Sequence, residues 1–151
     1  MLQNRIPDAV ARLLGGTDAP ELIGIVRFFQ RRNGVLLEVQ AEGLPESATG
    51  FYGFHIHEGT SCAGADFAAS GGHFNPGRAQ HPDHAGDLPP LLGDGGKAYM
   101  QVLTGRFRVE EVLGKAVILH ADPDDFHTQP AGNAGPKIAC GIIHPVSKRG
   151  R

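Results

Sequence analysis

The clearest periodic signal in the chain is a pair of β-rich runs flanking an Asn-Gly step. Ile23-Gly24-Ile25-Val26-Arg27-Phe28-Phe29-Gln30 is dense in β-branched and aromatic residues, and Val35-Leu36-Leu37-Glu38-Val39-Gln40-Ala41-Glu42 partly alternates apolar with polar. Such runs predict strands with one face on a core, and the intervening Arg31-Arg32-Asn33-Gly34 predicts a hairpin turn. Residues 50–57 read as a further strand, and strand signals return at residues 98–103, 115–120 and 137–143. Residues 8–14 fit a short first strand or a turn of helix equally well. Between these runs lie two irregular stretches, residues 58–90 and 121–136, rich in Gly, Pro, His and Asp. A loop as long as the first, inside a compact domain, needs something to order it. The expected architecture is all-β, a sandwich or flattened barrel carrying two long functional loops.

Composition narrows this picture. At 151 residues the chain suits one domain, with residues 1–7 and 147–151 as flexible ends, and 40 % apolar residues suffice for a packed core. Gly 22 and Pro 11 agree with many turns between short strands. A net charge of −2 argues against nucleic acid as a partner, and the basic Lys148-Arg149-Gly150-Arg151 reads as a solvated tail. No run approaches the roughly 18 apolar residues of a membrane span. Arg5, Asp8, Arg12 and Gly15-Gly16 interrupt any apolar leader core, so the expectation is a cytoplasmic protein, with a processed exported form equally compatible. Two cysteines, Cys62 and Cys140, suit a disulfide or a pair of buried thiols on count alone.

The candidate chemistry lies in the eight histidines. Any one of them is more often a surface or structural residue than a ligand; their grouping changes that. His55 and His57, two apart on an expected strand, share a face, so both rings can reach one ion. His81-Pro82-Asp83-His84-Ala85-Gly86-Asp87 offers several donors within seven residues, and His73 lies just upstream. Three imidazoles and one carboxylate suit a tetrahedral structural zinc. Spacing leaves Asp83 and Asp87 both open as the carboxylate. His120 closes a strand of apolar residues.

Five stretches together carry a resemblance: Gly53-Phe54-His55-Ile56-His57-Glu58, Gly72-His73-Phe74-Asn75-Pro76, His81-Pro82-Asp83-His84-Ala85-Gly86-Asp87-Leu88, Leu119-His120, and Gly132-Asn133-Ala134-Gly135-Pro136-Lys137-Ile138-Ala139-Cys140-Gly141. The chain resembles the copper,zinc superoxide dismutase family over about residues 8–146, and the resemblance implies a Greek-key β-sandwich or flattened barrel of the immunoglobulin-like kind. The resemblance implies a copper site of His55, His57, His73 and His120, and a zinc site of His73, His81, His84 and Asp87, one ion of each per chain. His73 would bridge the two through its two ring nitrogens. Asp124 would hydrogen-bond His55 and His81 on their outer nitrogens, with Asp125 its rival for that role. Cys62 and Cys140 would form the disulfide that pins the first loop to the last strand.

The implied activity is that of an oxidoreductase: disproportionation of the superoxide anion to oxygen and hydrogen peroxide by alternate reduction and oxidation of copper, with His73 supplying a proton. Where the family has an arginine beside copper this chain has Lys137. Lysine keeps the charge without the planar fork, so reduced rather than abolished activity is expected. The segment between His120 and Lys137 is also shorter than the family's charged guiding loop, and residues 131–136 carry no charge. His127 and His144 have no role in the family. The family is often dimeric, so a homodimer is compatible with the resemblance. The competing function is a non-enzymatic copper- or zinc-binding module for metal storage, delivery or assembly. A zinc hydrolase ranks lower, because four zinc ligands leave no open position.

Overall fold

The computed structural model describes residues 5–148. Nine strands form one sheet whose neighbours all pair antiparallel: β1 (Ala9–Gly15), β2 (Ile23–Arg31), β3 (Gly34–Glu42), β4 (Phe51–Tyr52), β5 (Phe54–His57), β6 (Leu91–Asp94), β7 (Lys97–Thr104), β8 (Ala116–His120) and β9 (Lys137–Pro145). The strand order is β4-β6-β7-β3-β2-β1-β9-β8-β5. Because β4 and β5 are consecutive in the chain yet stand at opposite ends of this order, the sheet curls until its edges meet in a nearly closed barrel. Helix is confined to α1 (Val109–Val112) and a 3-10 segment, Ala65–Ser70. No helix among the described residues is long and apolar enough to cross a membrane.

The hydrophobic pattern accounts for the core. On β1, Ala9, Ala11 and Leu13 are buried while Arg12 and Leu14 face out. Val26 and Phe28 of β2 and Val35, Leu37 and Val39 of β3 point the same way inward, joined by Phe54, Ile56, Val117, Leu119 and Ile143 from the far wall. The region left open between strand and helical turn, residues 8–14, is strand from Ala9 onward and pairs with β2 and β9. Leu14 faces Ile23 and Cys140 across it.

The hairpin closes at Arg31↔Gly34 with Arg32 and Asn33 as its two turn residues. Gly34 is needed for a reason other than turn handedness: a Cβ there would collide with the Thr104 carbonyl of β7. Residues 50–57, read as one strand, are two. At Gly53 the backbone passes so close to Ala134, the Asp122 carbonyl and His120 that no side chain fits. There β4 peels off to pair with β6, while β5 pairs with β8. Residues 58–90 gain their order from the Cys62–Cys140 disulfide to β9 and from backbone bonds such as Phe74 N to Ile56 O, 2.8 Å. Of the expected flexible ends, residues 1–4 and 149–151 lie outside the described residues. Lys148 pairs with Asp8, 2.6 Å away, and Val146 N donates to Asp8 O at 2.9 Å.

Candidate metal centre

Strand register brings the first histidines together. His55↔Ile118 and His57↔Ala116 pair β5 with β8, whose last residue is His120; His57 also bridges to His73 and His55 to Asp87 across the first loop. One strand pair therefore positions three rings, and two backbone bridges hang the loop ligands beside them.

The outer nitrogens of four rings are tied to oxygen acceptors. His55 Nε2 donates to Asp124 Oδ2 (2.8 Å) and His81 Nε2 to Asp124 Oδ1 (2.7 Å). His57 Nδ1 donates to Gly71 O (2.8 Å) and His120 Nδ1 to Gly135 O (3.1 Å). Each bond fixes a tautomer, leaving the opposite nitrogen with its lone pair facing inward. Two donor sets result. His55, His57, His73 and His120 form one; His73, His81, His84 and Asp87 form the other; within each, the ligand atoms all lie within 4.8 Å of one another. His73 belongs to both. Its Nδ1 lies 2.7 Å from Asp87 Oδ1 and 3.3 Å from His84 Nδ1, while Nε2 faces the other set.

Three buried nitrogens are without a hydrogen-bond partner: His55 Nδ1, His73 Nε2 and His81 Nδ1. His81 Nδ1 is 3.0 Å from Asp87 Oδ2 but off the hydrogen-bond direction. Orphaned polar atoms at such depth are costly, and all three aim into the donor sets. His57 Nε2 and His120 Nε2 are 3.3 Å apart. Two nitrogens about 2.0–2.1 Å from one ion, at a tetrahedral angle, would stand about 3.3 Å apart. The residues fit two metal ions sharing one imidazole.

Electrostatics keeps the donors ready. Burial pushes His57 down to about 2 and His120 down to about 3, against the pull of the Gly71 and Gly135 carbonyls, so both rings stay neutral. Burial also lowers His55. Burial alone would raise Asp124, yet the hydrogen bonds from His55 and His81 and from the Phe126 backbone hold it well below the usual carboxylate range. Asp87 is lowered in the same way by His73, His81 and His84.

Asp83 and Asp125 stand outside. The Asp83 side chain is 76 % exposed and pairs with Arg106 rather than joining either set. Asp125 caps its own turn, accepting from the backbone of His127 and Thr128. His127 is exposed, 3.8 Å from Asp125, and His144 is exposed on β9. An open cavity of about 570 Å³ reaches the centre, with His57, His73 and His120 at its inner end and Lys137 and Asp66 on its walls. Residues 130–131 and 135–136, which carry no charge, line it as well, and His84 and Asn75 border it on the side of the first loop. Lys137 Nζ is held by Ser70 Oγ (2.8 Å) and Gly71 O (2.9 Å), and partial burial lowers its pKa.

Several contributors escaped sequence reasoning. Gly71 and Gly135 act through their carbonyls, which no residue type announces. Gly132, at φ +69°, is required because a Cβ there would collide with Asp124 Oδ1 and His81 Nε2; the Ala131-Gly132-Asn133 run marks only a turn.

Comparison with known proteins agrees with this geometry. The family model for copper/zinc superoxide dismutase (SODC) matches residues 22–143. Superoxide dismutase [Cu-Zn] 1 of Aquifex aeolicus is 38 % identical over 138 residues, covering 82 % of this chain and 80 % of its own. Superoxide dismutase [Cu-Zn] of Deinococcus radiodurans is 33 % identical over 162 residues, covering 93 % and 86 %. Among solved structures, the Cu/Zn superoxide dismutase from Brucella abortus aligns with a TM-score of 0.75 at 26 % identity, over 89 % of this chain and 98 % of that one.

Proposed function

The chain belongs to the copper/zinc superoxide dismutase family, and on that premise we propose which of its residues serve copper, zinc and substrate. The activity is disproportionation of superoxide to oxygen and hydrogen peroxide, with copper and zinc as cofactors. Bound copper supplies the one-electron redox chemistry, and zinc a fixed positive charge.

His55, His57, His73 and His120 hold copper, because four imidazoles, three of them (His57, His73 and His120) lining an open cavity, suit a redox ion that substrate must reach. His73, His81, His84 and Asp87 hold zinc, because three imidazoles and a carboxylate make a closed tetrahedral set. Asp124 holds His55 and His81 in the tautomers that both sites need. The observation that carries the reading is His73, whose two nitrogens face different donor sets. Its Nε2, buried and without a hydrogen-bond partner, is the atom able to hold and release a proton on the copper side. Lys137 is the cation on the cavity wall. Two of its three N–H bonds are occupied by Ser70 and Gly71, leaving one for superoxide. Asp66 on the same cavity works against it, so reduced activity follows from both.

Superoxide turnover by protein loaded with one copper and one zinc, checked by elemental analysis, tests this. Turnover that disappears in His120→Ala supports the enzyme. A loaded protein without turnover favours a metal-handling module on the same scaffold.

Self-association belongs to the same proposal. On the outer face of β1, β2, β7 and β6, Leu14, Ile23, Leu92 and Tyr99 are each more than half exposed around a depression of about 890 Å³. Leu14 and Ile23 lie towards one side and Leu92 and Tyr99 towards the other, with Arg12 at the first side and Asp94 at the second. A two-fold axis through the middle would set each apolar pair on the other and Arg12 against Asp94, as a self-complementary contact requires. Sedimentation of the native protein should give a dimer and Ile23→Glu a monomer; a monomeric native protein at high concentration would refute it.

A further inference from the structure

Arg106 belongs to neither donor set, yet it grips the loop that carries three zinc ligands. It stands just past the end of β7. Its Nη1 donates to Pro82 O at 2.7 Å and to His84 O at 3.2 Å, and its Nη2 lies 3.6 Å from Asp83 Oδ1. One guanidinium thus touches each of the three consecutive residues that follow His81. Two carbonyls converge on a single N–H₂ group, which requires the turn to present both oxygens to the same point. That is the turn which brings His81, His84 and Asp87 to one centre. The exposed contact with Asp83 adds little energy, but it decides where a carboxylate sits. Asp83 is as good a zinc ligand chemically as Asp87, and only four residues away.

We infer that Arg106 is a positioning residue of the zinc half-site: it fixes the turn of residues 82–84 through two carbonyls and holds Asp83 outside the donor set. The inference rests on the assignment of zinc to His73, His81, His84 and Asp87. An opposing effect makes the sign decisive. Arg106 lines the same small cavity as Asp87 and Asp124, and a cation there repels a dication. If charge ruled, removing Arg106 would tighten zinc binding; if positioning rules, removal weakens it.

The test uses the full chain with its disulfide intact, stripped of metal and titrated with zinc against a chromophoric chelator. Asp87→Ala comes first: if it leaves zinc affinity unchanged, the zinc assignment itself fails. With that control passed, Arg106→Ala should bind zinc about 10- to 100-fold more weakly, the range for lost outer hydrogen bonds at a metal site. Arg106→Lys should recover part of the loss, and Arg108→Ala, whose side chain meets only Glu110 at 3.1 Å, should show none. Cobalt(II) in place of zinc reports the ligands spectroscopically. Its visible bands should change in Arg106→Ala and return towards the native shape when Asp83→Asn is added. Unchanged or tighter zinc binding in Arg106→Ala overturns the inference. So does an equal fall in copper affinity and in metal-free melting temperature, which would mark Arg106 as a general stabiliser.

Discussion

Asp124 is where one substitution reports on both metals, and the structure says which suffers more. Three donors converge on its carboxylate: His55 Nε2, His81 Nε2 and the Phe126 backbone N–H, at 2.8, 2.7 and 2.7 Å. Asp124→Ala leaves all three donors without their acceptor. A buried donor left unpaired costs about 1–3 kcal/mol, but Asp124 borders an open cavity of about 360 Å³, so water can reach the gap and the lower end applies. About 1 kcal/mol for each ring is roughly a fivefold loss of affinity through tautomer and orientation alone. The two rings then differ. His55 sits on β5, paired with β8 through Ile118 and fully buried, so its backbone stays in place. His81 sits on an irregular loop held by side chains rather than by strand pairing: Gln129 bonds His81 N and O at 2.9 and 2.7 Å, and Arg106 bonds the carbonyls of Pro82 and His84. Losing Asp124 frees that loop to move as well. Zinc affinity should fall about 10- to 100-fold, and copper affinity by less than about 10-fold. Competition titrations with chelators of known affinity, one metal at a time, measure both. Copper affinity falling further than zinc, or neither changing by threefold, would refute this account.

Two further outcomes follow from the same geometry. Lys137→Gln should slow turnover about fivefold at low ionic strength, because a unit charge about 4 Å from an anion is worth about 1 kcal/mol even at the dielectric of water; Lys137→Arg should speed it, both differences should shrink with added salt, and an unchanged rate for Lys137→Arg at low salt would remove Lys137 from substrate capture. The metal-free, disulfide-intact protein should lose stability on acidification: His57 and His120 have folded pKa values of about 2 and about 3, so below the unfolded value near 6.5 only the unfolded chain gains these protons. Stability is then nearly level above pH 7 and falls through pH 6.5 towards the folded values, by on the order of 4 kcal/mol between pH 8 and 5 for the pair. A melting temperature that stays level over that range would show that these rings protonate in the native state.

Which features were legible in the chain depended on whether residue type or spatial neighbours decide them. The hairpin of β2 and β3 announced itself because its alternation is local; the Asn33-Gly34 step marked the turn only to within a residue, since Arg32 and Asn33 form it and Gly34 answers to Thr104 of β7. β6 did not: Leu91-Leu92-Gly93-Asp94 has no alternation, and it is a strand because Gly93 and Asp94 pair with β7 and Leu91 and Leu92 with β4. The split at Gly53 was hidden for a similar reason, since the crowding that forbids a Cβ comes from residues 67 or more positions away. At the metal centre, residue types and spacing grouped His55 with His57, and His73, His81 and His84 with a nearby carboxylate; placing His120 and choosing Asp87 over Asp83 took the family resemblance. Residue types and spacing could not say which ring nitrogen faces inward. That depends on acceptors, and two of the four bonds go to the carbonyls of Gly71 and Gly135, groups that every residue carries. Gly71 O also receives Lys137 Nζ. One backbone oxygen therefore sets the tautomer of His57 and anchors Lys137, the cation proposed to meet the substrate. The orientation of the loop around residue 71 couples metal binding to anion capture, and a change that rotates that single carbonyl should disturb both together.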